Sequence, residues 1–238
     1  MIEVRNVSKG FPKNPGVIKN LTLTVGAGEI VCLLGPSGAG KTTLIRLITG
    51  ALKADGGEIV INGIKVPSMK LYAQMGFMPQ SDALYPDVTG LDNLLFFGGL
   101  YGIKGKALYE KSLEALELVD LAPDQNKLVS NYSGGMKKRL SLAAALLHKP
   151  SFMLLDEPTV GIDPILRRTI WDRFHKLRDE GAALIVSTHV MDEAAKCDRT
   201  ALIYNGALVA DDTTENLLKR TEHGNIEELF FMAKGAEL

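Results

Sequence analysis

Three short apolar runs constrain this chain most: IVCLL at 30–34, FMLL at 152–155 and ALIVS at 183–187. A run without polar alternation reads as a strand covered on both faces, and such strands belong to parallel sheets flanked by helices. Each run leads into a polar segment and then a helical one, the βαβ alternation of a layered α/β domain. In such a layer, functional groups collect where the strands end. With 238 residues the chain suffices for one large domain or two close-packed subdomains.

Two further patterns fill in the architecture. EIVINGIKV places apolar residues on both sides of Asn62-Gly63, and IYNGALV repeats this at Asn205-Gly206, so both predict two-residue hairpins. An antiparallel β subdomain is therefore expected in the amino-terminal third. Between about residues 84 and 148 the texture changes. KALYEKSLEALELVDL consists of helix formers with Leu113, Leu116 and Val119 on one face, and RLSLAAALLH reads as a second, packed helix. This predicts a helical subdomain over 84–148, inserted into an α/β core made of 1–83 and 149–238.

Composition removes several classes of function. Lys+Arg 27 against Asp+Glu 28 gives a net charge of −1, without the basic excess of a nucleic-acid surface, so no nucleic-acid partner is expected. Cys32 and Cys197 have no pairing or metal spacing and suit a reducing cytosol. Cys32, inside IVCLL, reads as a small buried hydrophobe rather than a reactive thiol. MIEVRNVSKGF lacks the pattern of a secretion signal. The most membrane-like piece, LLFFGGLYGI, falls short of the roughly 18–20 residues that cross a bilayer. A soluble chain is expected, with any membrane part on another polypeptide.

GPSGAGKTT, residues 35–43, follows the first apolar run and precedes the helical TTLIRLITG. It fits G-x-x-x-x-G-K-[ST] in the strand–loop–helix context that a phosphate-binding loop requires. Gly35, Pro36, Ser37, Gly38, Ala39 and Gly40 form the loop, whose backbone N–H groups turn inward at a helix start. Lys41 reaches the β and γ phosphates, Thr42 offers a hydroxyl to Mg²⁺, and Thr43 follows. FMLLDEP ends a strand with two carboxylates. Asp156 suits a metal-holding acid and Glu157 a base that polarises water. Alone, such a pair is usually a solvated turn; beside a phosphate loop it reads as the other half of a nucleotide site. In NYSGGMKKRLSLAAALL, Ser133, Gly134 and Gly135 open a long helix, which is an ordinary cap or a second anion site.

With these motifs in order, the sequence resembles the nucleotide-binding subunits of ABC transporters, from its amino-terminal strands to about residue 220. The resemblance rests on GPSGAGKTT, GFMPQ with Gln80, the signature Tyr132-Ser133-Gly134-Gly135-Met136, MLLDEP, TVGID through Asp163, and STH with His189. It implies a P-loop, RecA-like α/β core and two subunits paired head to tail, as homodimer or heterodimer. Ser133, Gly134, Gly135 and Asp163 of one subunit would then close the other's ATP site. Gln80 would hold Mg²⁺ or the attacking water, and His189 would bond the γ-phosphate and keep Glu157 aligned. Phe11 would stack on adenine, although by itself it reads as core.

Tyr132 and Met136 replace the family's common leucine and glutamine. Together with Lys137, Lys138 and Arg139, they resemble the branch that serves drug, polysaccharide and lipid-type exporters. So do LYPDVTGLDNLLFFGGLYGI and the closing NIEELFFMAKG. The expected function is ATP hydrolysis driving export through a separate integral permease, with the chain peripheral on the cytoplasmic face. An importer subunit or a soluble ABC ATPase are the alternatives. No NKxD guanine motif is present, since NKLV at 126–129 lacks the acid. The permease is expected to dock between Gln80 and Tyr101, where either Phe96 or Phe97 is taken as core.

Overall fold

The computed structural model describes residues 1–81, 83–223 and 228–231. Its centre is a six-stranded sheet of β3 (Glu29–Leu34), β6 (Met75–Met78), β7 (Phe152–Asp156), β8 (Ala183–Thr188), β9 (Arg199–Tyr204) and β10 (Ala207–Asp212), in the order β10-β9-β3-β8-β7-β6. All neighbours are parallel except β9 and β10, which form the antiparallel edge.

The three apolar runs are strands β3, β7 and β8, and their lack of alternation has a direct cause. Val31, Leu33, Leu154 and Ile185 face one hydrophobic cluster, whereas Cys32, Leu34, Leu155 and Val186 face the other. Each of these eight side chains is fully buried, stabilising the fold by about 1.5–3 kcal/mol for each large aliphatic residue. The first cluster lies against α1 (Lys41–Ile48) and a four-stranded antiparallel sheet of β1 (Ile2–Phe11), β2 (Asn14–Val25), β4 (Gly56–Ile61) and β5 (Ile64–Lys65). The second lies under α6 (Pro164–Asp179), with Trp171 and Phe174 packed edge to face.

Both expected hairpins form. Ile61 pairs with Ile64 and Tyr204 with Ala207. The intervening Asn62 and Gly63 have φ of 50° and 76°, and Asn205 and Gly206 have 48° and 80°. Positive φ at both central positions matches the right-handed twist of the strands.

Beyond the short α2 (Met69–Tyr72), helices α3 (Gly90–Leu100), α4 (Gly105–Leu118) and α5 (Gly134–Leu146) fall within the stretch expected to be helical and share a separate cluster. Leu116 and Val119 are fully buried in it and Leu113 is half-buried. A capping box between Thr89 and Asp92 starts α3. Part of NIEELFFMAKG lies outside the described residues; within it, Leu229 and Phe230 pack on the second cluster. Among the described residues no helix is long and apolar enough to cross a membrane, and both cysteines are buried thiols.

Parallel register decides where the chemistry falls. Leu34 pairs with Thr188, Asp156 with Ser187, and Met78 with Leu155. Four strands therefore end together, and Gly35, Gln80, Glu157 and His189 leave the sheet along one edge.

Candidate nucleotide site

The loop between β3 and α1 is shaped by what its glycines avoid. A methyl group at Gly35 would lie 2.4 Å from the Ile203 carbonyl oxygen. Gly40 has φ 107°, and a methyl group there would lie 2.8 Å from both the Val17 carbonyl oxygen and Ile18 Cδ1. Gly40 caps α1 without a side-chain hydrogen bond, so the first N–H groups of the helix stay available to an anion.

Lys41 is folded into this loop. Its ammonium donates to the Gly35 carbonyl at 2.6 Å and to the Pro36 carbonyl at 3.0 Å. Burial pulls the Lys41 pKa below its ordinary value, while the Glu157 and Asp156 carboxylates oppose that shift. The charge is thus held ready by two carbonyls and two acids, and phosphate oxygens can replace the carbonyls.

A cleft of about 290 Å³ opens over the loop, lined by Ser37, Gly38, Gly40, Lys41, Thr42, Thr43, Gln80 and Glu157, with Asn14 and Val17 from β2. Gly35, Pro36 and Ala39 are not in this lining. Gly35 and Pro36 present carbonyls to Lys41. The Ala39 N–H donates to Pro36, and its methyl group packs in the first cluster. These three residues shape the loop from behind. Phe11 is also outside the lining: it is partly exposed, with Lys9 Nζ 5.5 Å from its ring centroid. Its cross-strand partner Asn14 is the residue that reaches the cleft.

The acidic side of the site is held by Ser187. Its hydroxyl donates to Asp156 Oδ1, and the Glu157 N–H donates to the Ser187 carbonyl at 3.0 Å. Glu157 has φ 54°, a left-handed conformation costing a non-glycine residue on the order of 1 kcal/mol. Its carboxylate lies 2.8 Å from His189 Nδ1. Asp156 is buried beneath the cleft, whereas Gln80 is exposed at its rim.

Ser133, Gly134, Gly135 and Asp163 do not line this cleft. Ser133 accepts the Met136 N–H at 3.2 Å and caps α5. Asp163 accepts the Ile165 and Leu166 N–H groups and caps α6. The two caps are neighbours, since a methyl group at Gly135 would sit 3.8 Å from the Gly161 carbonyl. Tyr132 is buried, its hydroxyl donating to the Asp124 carbonyl at 2.9 Å, and Met136 packs against the same helical cluster. Arg139 donates to the Val119 and Asp120 carbonyls. The unusual signature residues thus build the helical cluster, leaving Ser133, Gly134 and Gly135 exposed.

Ser187, Asn14 and Val17 escaped the sequence reading. Ser187 alone left a signal: a hydroxyl inside an apolar strand, two residues before His189.

A phosphate loop, an acidic strand end and a histidine on one edge of a parallel sheet define a P-loop nucleotide hydrolase. The sequence profile of the family described as ABC transporter matches residues 18–160. The linearmycin resistance ATP-binding protein LnrL of Bacillus subtilis is 36% identical over 232 residues, covering 96% of this chain and 74% of its own length. The Nod factor export ATP-binding protein I of Burkholderia lata is 38% identical over 232 residues, covering 96% and 76%. A solved structure described as the ATP-binding subunit of an ABC transporter superposes with a TM-score of 0.88 at 27% identity, covering 98% of both chains. The dimeric cassette MJ0796, in a post-hydrolysis state with ADP and Pi, gives 0.82 at 28% identity over 90% of this chain and 98% of its own. The chain belongs to the ABC transporter family, as one of its ATP-hydrolysing cassettes.

Proposed function

We propose that this chain, a single ATPase domain with a helical subdomain at 84–148, drives export through a separate integral permease. The observation that carries the reading is the succession Pro79-Gln80. Gln80 lines the nucleotide cleft, and Pro79 lines an apolar groove of about 450 Å³ together with Leu84, Phe97, Leu100 and Tyr101. A nucleotide-dependent movement of Gln80 therefore changes the groove. A short amphipathic helix of a permease fits such a groove, which would hold the chain on the cytoplasmic face. Export is favoured over import by the likeness to LnrL and the Nod factor exporter.

At the site, Lys41 and the N–H groups around Gly38 and Gly40 hold the β and γ phosphates. Phe11 stacks on adenine. Thr42, Gln80 and Asp156 offer an all-oxygen set with one carboxylate, which would suit Mg²⁺, an ion held by one or two carboxylates together with substrate phosphates and water. The ion, when bound, neutralises charge on the β and γ phosphates. Glu157 accepts a proton from the attacking water, and His189 holds the Glu157 carboxylate in position. Ser133, Gly134, Gly135 and Asp163 act on the γ-phosphate of a second subunit; the similar cassette MJ0796 is itself dimeric. ATP then joins two subunits and hydrolysis parts them, biasing the permease between two states.

The experiment is co-purification of the tagged chain from membranes, identification of its integral partner, and reconstitution of both in vesicles. ATP-dependent outward movement of a lipophilic or drug-like substrate is expected. Uptake, or full activity without any membrane partner, contradicts the reading.

A further inference from the structure

A buried carboxyl group outside the cleft joins the two segments that carry Glu157 and His189. Thr159 stands two residues beyond Glu157, on the turn leading to α6. Glu193 stands four residues beyond His189, in the short helix α7 (Met191–Ala194). Thr159 is 0% exposed and Glu193 1%. The Thr159 hydroxyl donates to Glu193 Oε1, while Oε2 is buried with no hydrogen-bond partner. Burying a carboxyl group with one oxygen unpaired is costly, and an apolar residue would fill the space at less cost. The group therefore calls for a role beyond packing.

That role follows from the path of the chain. Ser187 ties the two segments at their start, through Asp156 and the Glu157 N–H. Thr159 and Glu193 tie them again on the far side. The Glu157–His189 contact lies between these two ties and is the one that water and phosphate must enter. The same turn is held further by the Ile162 N–H, which donates to the Thr159 carbonyl at 3.2 Å.

We propose that Thr159 and Glu193 are positioning residues whose hydrogen bond sets the spacing of Glu157 and His189 without touching the nucleotide. This rests on the reading of Glu157 as the base. Losing the tie lets the base drift from the line of attack, which slows turnover but leaves phosphate binding by Lys41 intact.

The test uses the full chain and steady-state ATP hydrolysis. Thr159→Val keeps the shape and removes the donor; Thr159→Ser keeps the donor. Glu193→Leu removes the acceptor, and Glu193→Gln keeps it. The expected result is a fall in kcat of about tenfold for Thr159→Val and Glu193→Leu, with KM for ATP within about twofold of the parent. Thr159→Ser and Glu193→Gln should stay near the parent. If Thr159→Val does not fold, the Glu193 pair gives the same comparison. A parental kcat in the variants lacking the bond overturns the proposal, even if Tm falls, because the contact is then packing alone. Equal losses in the conservative variants overturn it too. Glu157→Gln, measured in parallel, separates the two readings. Parental turnover there removes Glu157 as base, whereas an inactive Glu157→Gln beside a fully active Thr159→Val removes only the tie.

Discussion

His189 Nδ1 and Glu157 Oε1 lie 2.8 Å apart, joining the ends of two adjacent parallel strands. A carboxylate only accepts, so the ring donates from Nδ1 and directs Nε2 away from Glu157. Removing the ring should free Glu157 without disturbing the phosphate loop. His189→Ala is expected to lower kcat by roughly 10²-fold or more while ATP affinity changes less than about threefold. Single-turnover hydrolysis together with equilibrium binding checks this, and an equal loss in both would place His189 in binding instead.

Two inactive variants should repair each other. Lys41→Ala removes the charge proposed to face the β and γ phosphates and should weaken ATP binding by at least about tenfold, as a fluorescent ATP analogue would report. Ser133→Arg fills the space before the exposed Ser133-Gly134-Gly135 start of α5. If the site is shared between subunits as proposed, a mixed dimer holds one intact composite site, so mixing the two proteins should restore part of the hydrolysis. Cross-linked mixed dimers that stay inactive would show that each site is completed within one chain.

Tyr85 is 49% exposed, and its ring packs edge-on against Phe96 at 4.8 Å. The loop does not depend on that ring, because buried Asn93 bonds both the Tyr85 N–H and its carbonyl. Tyr85→Asp should therefore leave hydrolysis by the isolated subunit within about twofold of the parent, and reduce co-purification with the permease by at least about tenfold. Unchanged assembly and transport would move the docking surface elsewhere.

Much of the fold is written in local pattern. IVCLL, FMLL and ALIVS are legible because both faces of their strands are buried, and the two Asn-Gly turns because only positive φ closes them. Motifs point to Lys41, Gln80 and Glu157, and the strand register brings them to one cleft. What stayed hidden depends on neighbours distant in sequence. Ser187 acquires its meaning only from Asp156 across the sheet, and Thr159 from Glu193 across 34 residues. Neither Phe96 nor Phe97 is the core member expected of α3. Leu91 and Leu94 take that place, while Phe96 is 46% exposed and Phe97 half-buried. Phe96 and Phe97 pack on each other and on Tyr85 instead of on the helical cluster.

His148 stacks on Tyr101 with ring centroids 3.5 Å apart, where α3 meets the end of α5. Burial pushes its pKa down to about 4; the Met75 backbone opposes this, the Lys111 charge adds to it, and neither ring nitrogen completes a hydrogen bond. The unfolded chain takes up this proton near pH 6.5 and the folded chain only near 4. Stability is therefore fullest above 6.5 and falls as pH drops from 6.5 to 4, by about 1–2 kcal/mol at pH 5. Urea unfolding at pH 7 and 5 should show this loss in the parent and a smaller one in His148→Phe. Equal losses would mean that other groups carry the pH dependence.

In the proposed mechanism Glu157 activates the water that attacks ATP bound over Lys41. Its most direct test is Glu157→Gln with Mg²⁺ and ATP, following single-turnover hydrolysis and the size of the complex in one sample. The amide keeps the shape, cannot take the proton, and removes a negative charge beside the phosphates. Hydrolysis should fall by roughly 10²–10³-fold, with ATP still bound and the protein shifted to a dimer on size-exclusion chromatography. A monomeric Glu157→Gln protein that hydrolyses ATP at the parental rate would contradict both the base and the shared site.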